Sequence, residues 1–155
     1  MKEGNFPKGI RTMMGVGSPG LKNGIGISTY SFTQGMGRTS MYSADGDLLI
    51  VPQCGALRVT TELGKLYVPS KEIVVIPRGC KFKIDPDQEG EHHRGWIAEI
   101  FKGHLAIPDL GPIGANGLAN ERDFLVPKAS YKEDHSITDP EEKHLILARF
   151  NGKLF

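Results

Sequence analysis

The chain is poor in cysteine. Cys54 and Cys80 are the only two in 155 residues, which excludes a disulfide-dense scaffold and any Cys-rich zinc module. Each stands beside a glycine between apolar runs, where a strand would end. Both read as free thiols of a reducing compartment, and without a Cys-x-x-Cys spacing a redox role has no support. Excess charge is lacking too. Lys and Arg total 19 against 18 Asp and Glu, a net charge of +1, so electrostatics offer no case for nucleic acid or an anionic membrane as partner. No apolar run approaches the ~18 residues of a transmembrane helix. Residues 1–9 have no continuous apolar stretch of the secretory kind. A cytoplasmic location is the expectation.

Turn formers are abundant. The 20 glycines and 10 prolines argue for many short strands and against a helical bundle. The length suits one domain able to bury a core without staples. Residues 1–24 read as an N-terminal extension with a short strand near 10–14, and residues 25–155 as one β domain. Ile25, Ile27, Thr29 and Ser31 alternate with Gly26, Ser28, Tyr30 and Phe32, the period of a strand. Residues 38–42 are the next candidate, and Asp45-Gly46 marks a tight turn. Leu48-Leu49-Ile50-Val51 and Ile73-Val74-Val75-Ile76 are continuous apolar runs, expected in strands covered on both faces. Leu57, Val59, Thr61 and Leu63 predict a half-buried strand, and residues 65–68 and 81–84 follow. In 95–101, Trp96, Ala98 and Ile100 share one face, and Ile97, Glu99 and Phe101 the other. Residues 108–120 have little strand or helix pattern. Residues 122–126 and 144–150 are the last strand candidates, separated by a charged surface loop over 132–143 with a helical turn after Asp139-Pro140. Short strands bounded by Gly or Pro are the pattern of an antiparallel sandwich or barrel.

Gly15-Val16-Gly17-Ser18-Pro19-Gly20 spells the dinucleotide fingerprint. That motif needs a strand feeding a helix. Pro19 followed by Leu21-Lys22-Asn23-Gly24 offers no helix, so a loop is expected. His92 and His93 are adjacent, and on a strand they point to opposite faces. With Glu99 or His104, one of them could complete the two-His, one-carboxylate set of non-haem ferrous oxygenases. The blander reading, solvated histidines at the end of a polar loop, is preferred. His135 and His144 have no partner spacing.

Residues 48–82 resemble the core of a cupin barrel: an apolar strand, a turn at Gly55, a second strand, Glu72, then Pro77-Arg78-Gly79. In that family a metal-binding His follows the glycine by three residues, and here that position is Phe82. The family's upstream Glu falls at Leu48 and its two His among residues 41–44. Such side chains cannot ligate a cation. The expected fold is therefore all-β, a cupin-like (jelly-roll) antiparallel barrel with long Gly/Pro-rich C-terminal loops and no metal of its own.

The resemblance extends to the homogentisate 1,2-dioxygenase family. It rests on Asp45-Gly46-Asp47-Leu48-Leu49-Ile50-Val51-Pro52-Gln53 with Gly55, Thr61-Glu62-Leu63-Gly64-Lys65, Arg78-Gly79 with Phe82, and Arg94-Gly95 with Glu99. The run Pro-Asp-Leu-Gly-Pro-Ile-Gly-Ala-Asn-Gly-Leu-Ala-Asn at 108–120, with Arg122-Asp123-Phe124 and the closing Gly152-Lys153-Leu154-Phe155, continues it. The His92-His93 pair and residues 133–143 depart from the family pattern. The resemblance implies an Fe(II)-dependent, extradiol-type cleavage of homogentisate to maleylacetoacetate in tyrosine and phenylalanine catabolism. It also implies that the ferrous ligands, two His and a Glu, and the catalytic His lie in a C-terminal half. No catalytic, cofactor-binding or metal residue is then assigned here, leaving His92, His93, His104 and Glu99 as the only candidates for a metal. The implied partners are that C-terminal half, neighbouring subunits of a homo-oligomer and, in the full enzyme, a small aromatic acid. The chain itself is expected to be the N-terminal structural and oligomerisation barrel, inactive alone and binding no Fe(II), with residues 109–120 as a packing surface. The alternatives are a free-standing, metal-free cupin-like binding or assembly module and a small metalloenzyme built on the histidines.

Overall fold

The computed structural model describes residues 4–109, 111, 119–130 and 143–155. Its strands are β1 (Arg11–Ser18), β2 (Asn23–Phe32), β3 (Thr39–Ser43), β4 (Asp47–Cys54), β5 (Leu57–Thr61), β6 (Gly64–Val68), β7 (Val74–Ile76), β8 (Phe82–Pro86), β9 (His93–Ile100), β10 (Leu145–Phe150) and β11 (Lys153–Leu154), and one short helix, α1 (Phe6–Gly9), precedes them. They make a five-stranded sheet, β1-β2-β9-β4-β7, and a six-stranded sheet, β11-β10-β3-β8-β5-β6.

The pairing order defines the architecture. β2 pairs with β9, β3 with β8, β4 with β7 and β5 with β6, all antiparallel and each pair nested in sequence inside the one before. β9 then meets β4, and β8 meets β5. A nested ladder folded over into two sheets is a jelly roll, so the all-β expectation holds. Inward side chains of both sheets merge in one core: Tyr30, Phe32, Ile50 and Ile97 from the first, Met41, Leu57, Phe82 and Ile84 from the second. Each such side chain contributes about 1.5–3 kcal/mol by leaving water.

Several local expectations change. Residues ahead of 25 supply β1, which pairs along β2 from Arg11 to Ser18. They also supply Phe6, which is fully buried in the core. Residues 15–20 pass from β1 into a single 3-10 turn, Pro19–Leu21, with no helix after the glycines. Lys22 closes that turn with φ 52. Residues 122–126 do not form a strand: Glu121–Asp123 is a 3-10 turn, held by Asn120 accepting from the Arg122 N–H at 3.1 Å. β10 adds to β3 in parallel, with Leu147 opposite Met41, an exception among antiparallel pairings. The apolar runs in β4 and around β7 are buried on one face only, with Val75 at 43% and Ile73 at 60% exposure. The expected helical turn after Asp139 and most of 108–120 and 132–143 lie outside the described residues.

Candidate functional site: the barrel interior and its polar margins

The interior is where a barrel of this kind would hold a cation. Of the positions singled out for ligands, Leu48, Phe82 and, within 41–44, Met41 are at most 1% exposed, while Ser43 is buried beside Glu99. Met41 on β3 lies opposite Phe82 on β8. Phe6 enters from α1 and fills the space between the sheets. Its ring centre lies 5.1 Å from Tyr30, 5.6 Å from Phe32 and 6.4 Å from Phe82, distances at which tilted and edge-on aromatic pairs attract. Thioether, isobutyl and phenyl groups offer a ferrous ion neither imidazole nor carboxylate. A centre of two imidazoles and one carboxylate does not fit this interior. Among the described residues no group of three His, Cys, Asp or Glu is arranged so as to hold a metal ion.

Among the described residues two buried side-chain polar atoms, Asn5 Oδ1 and the Tyr30 hydroxyl, are stranded. The Tyr30 hydroxyl is buried and has no hydrogen-bond partner among the described residues. Burial, with Cys54 as a lesser cause, pushes its phenol far above the ordinary value, so Tyr30 is neutral and acts as an aromatic filler. Gly95, opposite it on β9, leaves room for that hydroxyl. A Cβ at Gly95 would come within 2.6 Å of it.

The candidate ligands are scattered. His92 is exposed, its Nε2 2.9 Å from the Ser31 hydroxyl. His93 points the other way and is fully buried, stacked 5.3 Å from Phe32. Its Nδ1 lies 2.9 Å from the Glu91 carbonyl and its Nε2 2.6 Å from the Asp87 carboxylate. The imidazole beside Asp87 holds that carboxyl below the ordinary range. His104 is largely exposed and sits 3.1 Å from Asp47. Glu99 is buried six positions along β9 from His93, roughly 20 Å away at the rise of a strand. His144 contacts the Ser40 hydroxyl at 2.8 Å, and His135 lies outside the described residues.

Glu99 belongs to a different construction. Its carboxylate forms an ion pair with Arg149 of β10, and both side chains are buried. The Ser43 hydroxyl donates to Glu99 Oε1 at 2.6 Å while accepting from the N–H groups of Asp45 and Gly46 at 3.2 Å each. Asp45 in turn accepts from the Asn151 N–H at 2.6 Å. Asp47 accepts from the N–H groups of Arg78 and Leu105, each at 2.8 Å. Burial pushes the Asp47 carboxyl up, but these donors and His104 outweigh it and hold it below the ordinary value. The turn at 43–47 is thus a polar knot fastening β3, β4, β9 and β10 together. Sequence reading missed Arg149, Asp87 and the role of Asp45 and Asp47. The Asp-Gly-Asp turn was the available signal, while the partners of Glu99 stand at separations that no local pattern reports.

Similar folds recur among solved structures. A cupin superfamily protein from Desulfitobacterium hafniense is 14% identical, with 66% of this chain and 83% of that one covered at a TM-score of 0.48. A cupin-2 domain containing protein from Shewanella frigidimarina is 16% identical, with 59% and 78% covered at 0.45. Sequence relatives are nearer. The homogentisate 1,2-dioxygenase of Drosophila melanogaster is 43% identical over 154 residues, 99% of this chain and 33% of that protein. That of Oryza sativa is 46% identical over 152 residues, 97% and 31%, and that of Dictyostelium discoideum 46% over 154 residues, 99% and 34%. The chain spans about a third of the length of the relatives it matches. The family model for the homogentisate 1,2-dioxygenase N-terminal region matches residues 1–155, and the chain belongs to that family.

Proposed function

We propose that this chain is the structural barrel of a homogentisate 1,2-dioxygenase, folding by itself and carrying no chemistry by itself. In this reading Fe(II), homogentisate and the extradiol-type ring opening to maleylacetoacetate belong to the part of the family protein outside the match. The chain's contribution is a rigid body on which that part and neighbouring subunits assemble, in the cytoplasm. One observation carries the reading. Of the positions that would face a barrel-bound cation, Met41, Leu48 and Phe82 lie in the apolar core with Phe6, and Ser43 is committed to Glu99. Three further observations support it. His92, His93, His104 and Glu99 occupy separate places, each engaged by a different partner. The relatives devote about two thirds of their length to other residues. No helix among the described residues is long and apolar enough to cross a membrane.

The test is oxygen uptake by the purified chain with ferrous salt and homogentisate, compared with the same chain combined with the remaining two thirds of a relative. The expected result is no uptake above buffer from the chain alone, with activity in the combination. Ferrous-dependent ring opening by the chain alone would overturn the reading.

A further inference from the structure

The five-stranded sheet differs on its outer face from the β5, β6 and β8 part of the other sheet, whose far end, β10, also exposes Ile146 and Phe150. On the six-stranded sheet, Arg58 stands opposite Tyr67 and Asp85, and Thr60 opposite Lys65 and Lys83, the polar dressing of a solvated sheet. The outer face of the five-stranded sheet is apolar across its middle, with Arg11, Arg94 and Asp47 only at its margins. One row runs Met14, Ile27, Ala98, Leu49, Val75 across all five strands. Beside it run Val16, Ile25, Ile100, ending at Asp47, and, on the other side, Thr29, Trp96, Val51, beginning at Arg11. Met14 is 65% exposed, Val16 68% and Trp96 46%. Antiparallel sheets that face water alternate apolar with polar, and a contiguous apolar patch this broad marks a contact.

We infer that the rows centred on Ala98 and Trp96 are the docking surface for the rest of the family polypeptide, the two thirds that lie outside the match in the relatives. The inference rests on the structural-barrel reading and gives it an address. Size decides between occupants. The patch measures roughly 20 Å by 20 Å from strand and residue spacings, so a contact would bury on the order of 800 Å² over both sides. That lies in the range of contacts between domains of one polypeptide, about 600–1,500 Å². It falls short of the ~2,000 Å² and more of an obligate dimer, and a second copy held by so little would be on the scale of a crystal contact. A tethered domain needs less, because the covalent link raises its effective concentration. The relatives have the length to supply such a domain.

Trp96 is the single tryptophan of the chain, so it reports on the face directly. The chain is labelled with 5-fluorotryptophan and titrated with the unlabelled remaining two thirds of the Drosophila melanogaster relative. The expected result is a shifted, broadened Trp96 fluorine resonance. Val75→Lys should weaken the association at least tenfold, and Thr60→Lys on the other sheet should leave it within twofold. If circular dichroism shows Val75→Lys unfolded, Met14→Lys on β1 takes its place. Co-migration with the relative's segment while the Trp96 resonance stays fixed would overturn this inference and leave the structural-barrel reading standing. Failure of the two polypeptides to associate would overturn both. A resonance that moves with the chain's own concentration, without the segment, would assign the face to a second copy and overturn the inference.

Discussion

Glu99 of β9 and Arg149 of β10 form an ion pair that joins the two sheets, with side chains 4% and 5% exposed. The Ser43 hydroxyl completes the carboxylate's coordination, and the Ala44 N–H donates to the Arg149 carbonyl at 2.9 Å. Breaking a buried pair from one side leaves an uncompensated charge at a cost of about 3–5 kcal/mol. Arg149→Ala is therefore expected to lower unfolding stability by that amount, measured by urea denaturation. The double variant Glu99→Gln, Arg149→Met should recover most of the loss, because it removes both charges and keeps the volume. A double variant as unstable as the single one would show that packing around Arg149, not charge, fastens β10.

Acid sensitivity should trace to Asp47. The two backbone donors and His104 depress its folded pKa despite burial. A carboxylate with a depressed folded pKa contributes stability that is present above its unfolded pKa and lost as pH falls through the folded one. The window lies below about pH 4, where an unfolded aspartate takes up its proton. Asp47→Asn should therefore cost stability at pH 6, with the difference from the parent chain shrinking at pH 3. Urea titrations at the two pH values check the sign. A gap that widens in acid would contradict it.

Phe6 acts as a plug. It is fully buried, contacts three aromatic rings and is delivered by four helical residues before the first strand. Phe6→Ala should cost about 3–5 kcal/mol, a large share of the stability of a domain this size. The cavity would adjoin Tyr30 and Phe82. A xenon or benzene soak should find it if it stays dry.

Much of the barrel was readable because alternation survives wherever one face is buried. Tyr30 and Phe32, Leu57 and Val59, and Ile97 with Glu99 all fall on the faces their period assigns. Three features escaped. Phe6 stands in a Gly- and Lys-rich stretch with no period, and only tertiary packing recruits it. The parallel pairing of β10 with β3 depends on contacts across a hundred residues. The two-sided burial expected of Leu48-Leu49-Ile50-Val51 is half realised, since Leu48 and Ile50 enter the core while Leu49 and Val51 form part of the bare face. At the site, the greasy ligand positions were legible residue by residue. The partners of Glu99 were not, because a salt bridge between distant segments leaves no periodic trace, and those of His93 stand close by in a polar loop that has no period.

Two glycines separate backbone strain from collision. Gly55 has φ 77 and Gly79 φ 83, both in the left-handed region that disfavours side chains. Around Gly79 an added Cβ meets nothing within 4 Å, whereas at Gly55 it would lie 2.1 Å from His93 Cδ2. Gly79→Ala should therefore cost only the conformational penalty, about 1 kcal/mol. Gly55→Ala must also displace a buried imidazole from Asp87 and the Glu91 carbonyl, and a buried partner left unsatisfied adds about 1–3 kcal/mol. The difference between the two variants reads the worth of the His93 seat. In the double variant Gly55→Ala, His93→Ala the collision is gone, so Gly55→Ala should cost no more in the His93→Ala background than Gly79→Ala does in the parent chain. An unchanged Gly55→Ala penalty in that background would place the whole effect in the backbone and deny His93 a role in setting the turn.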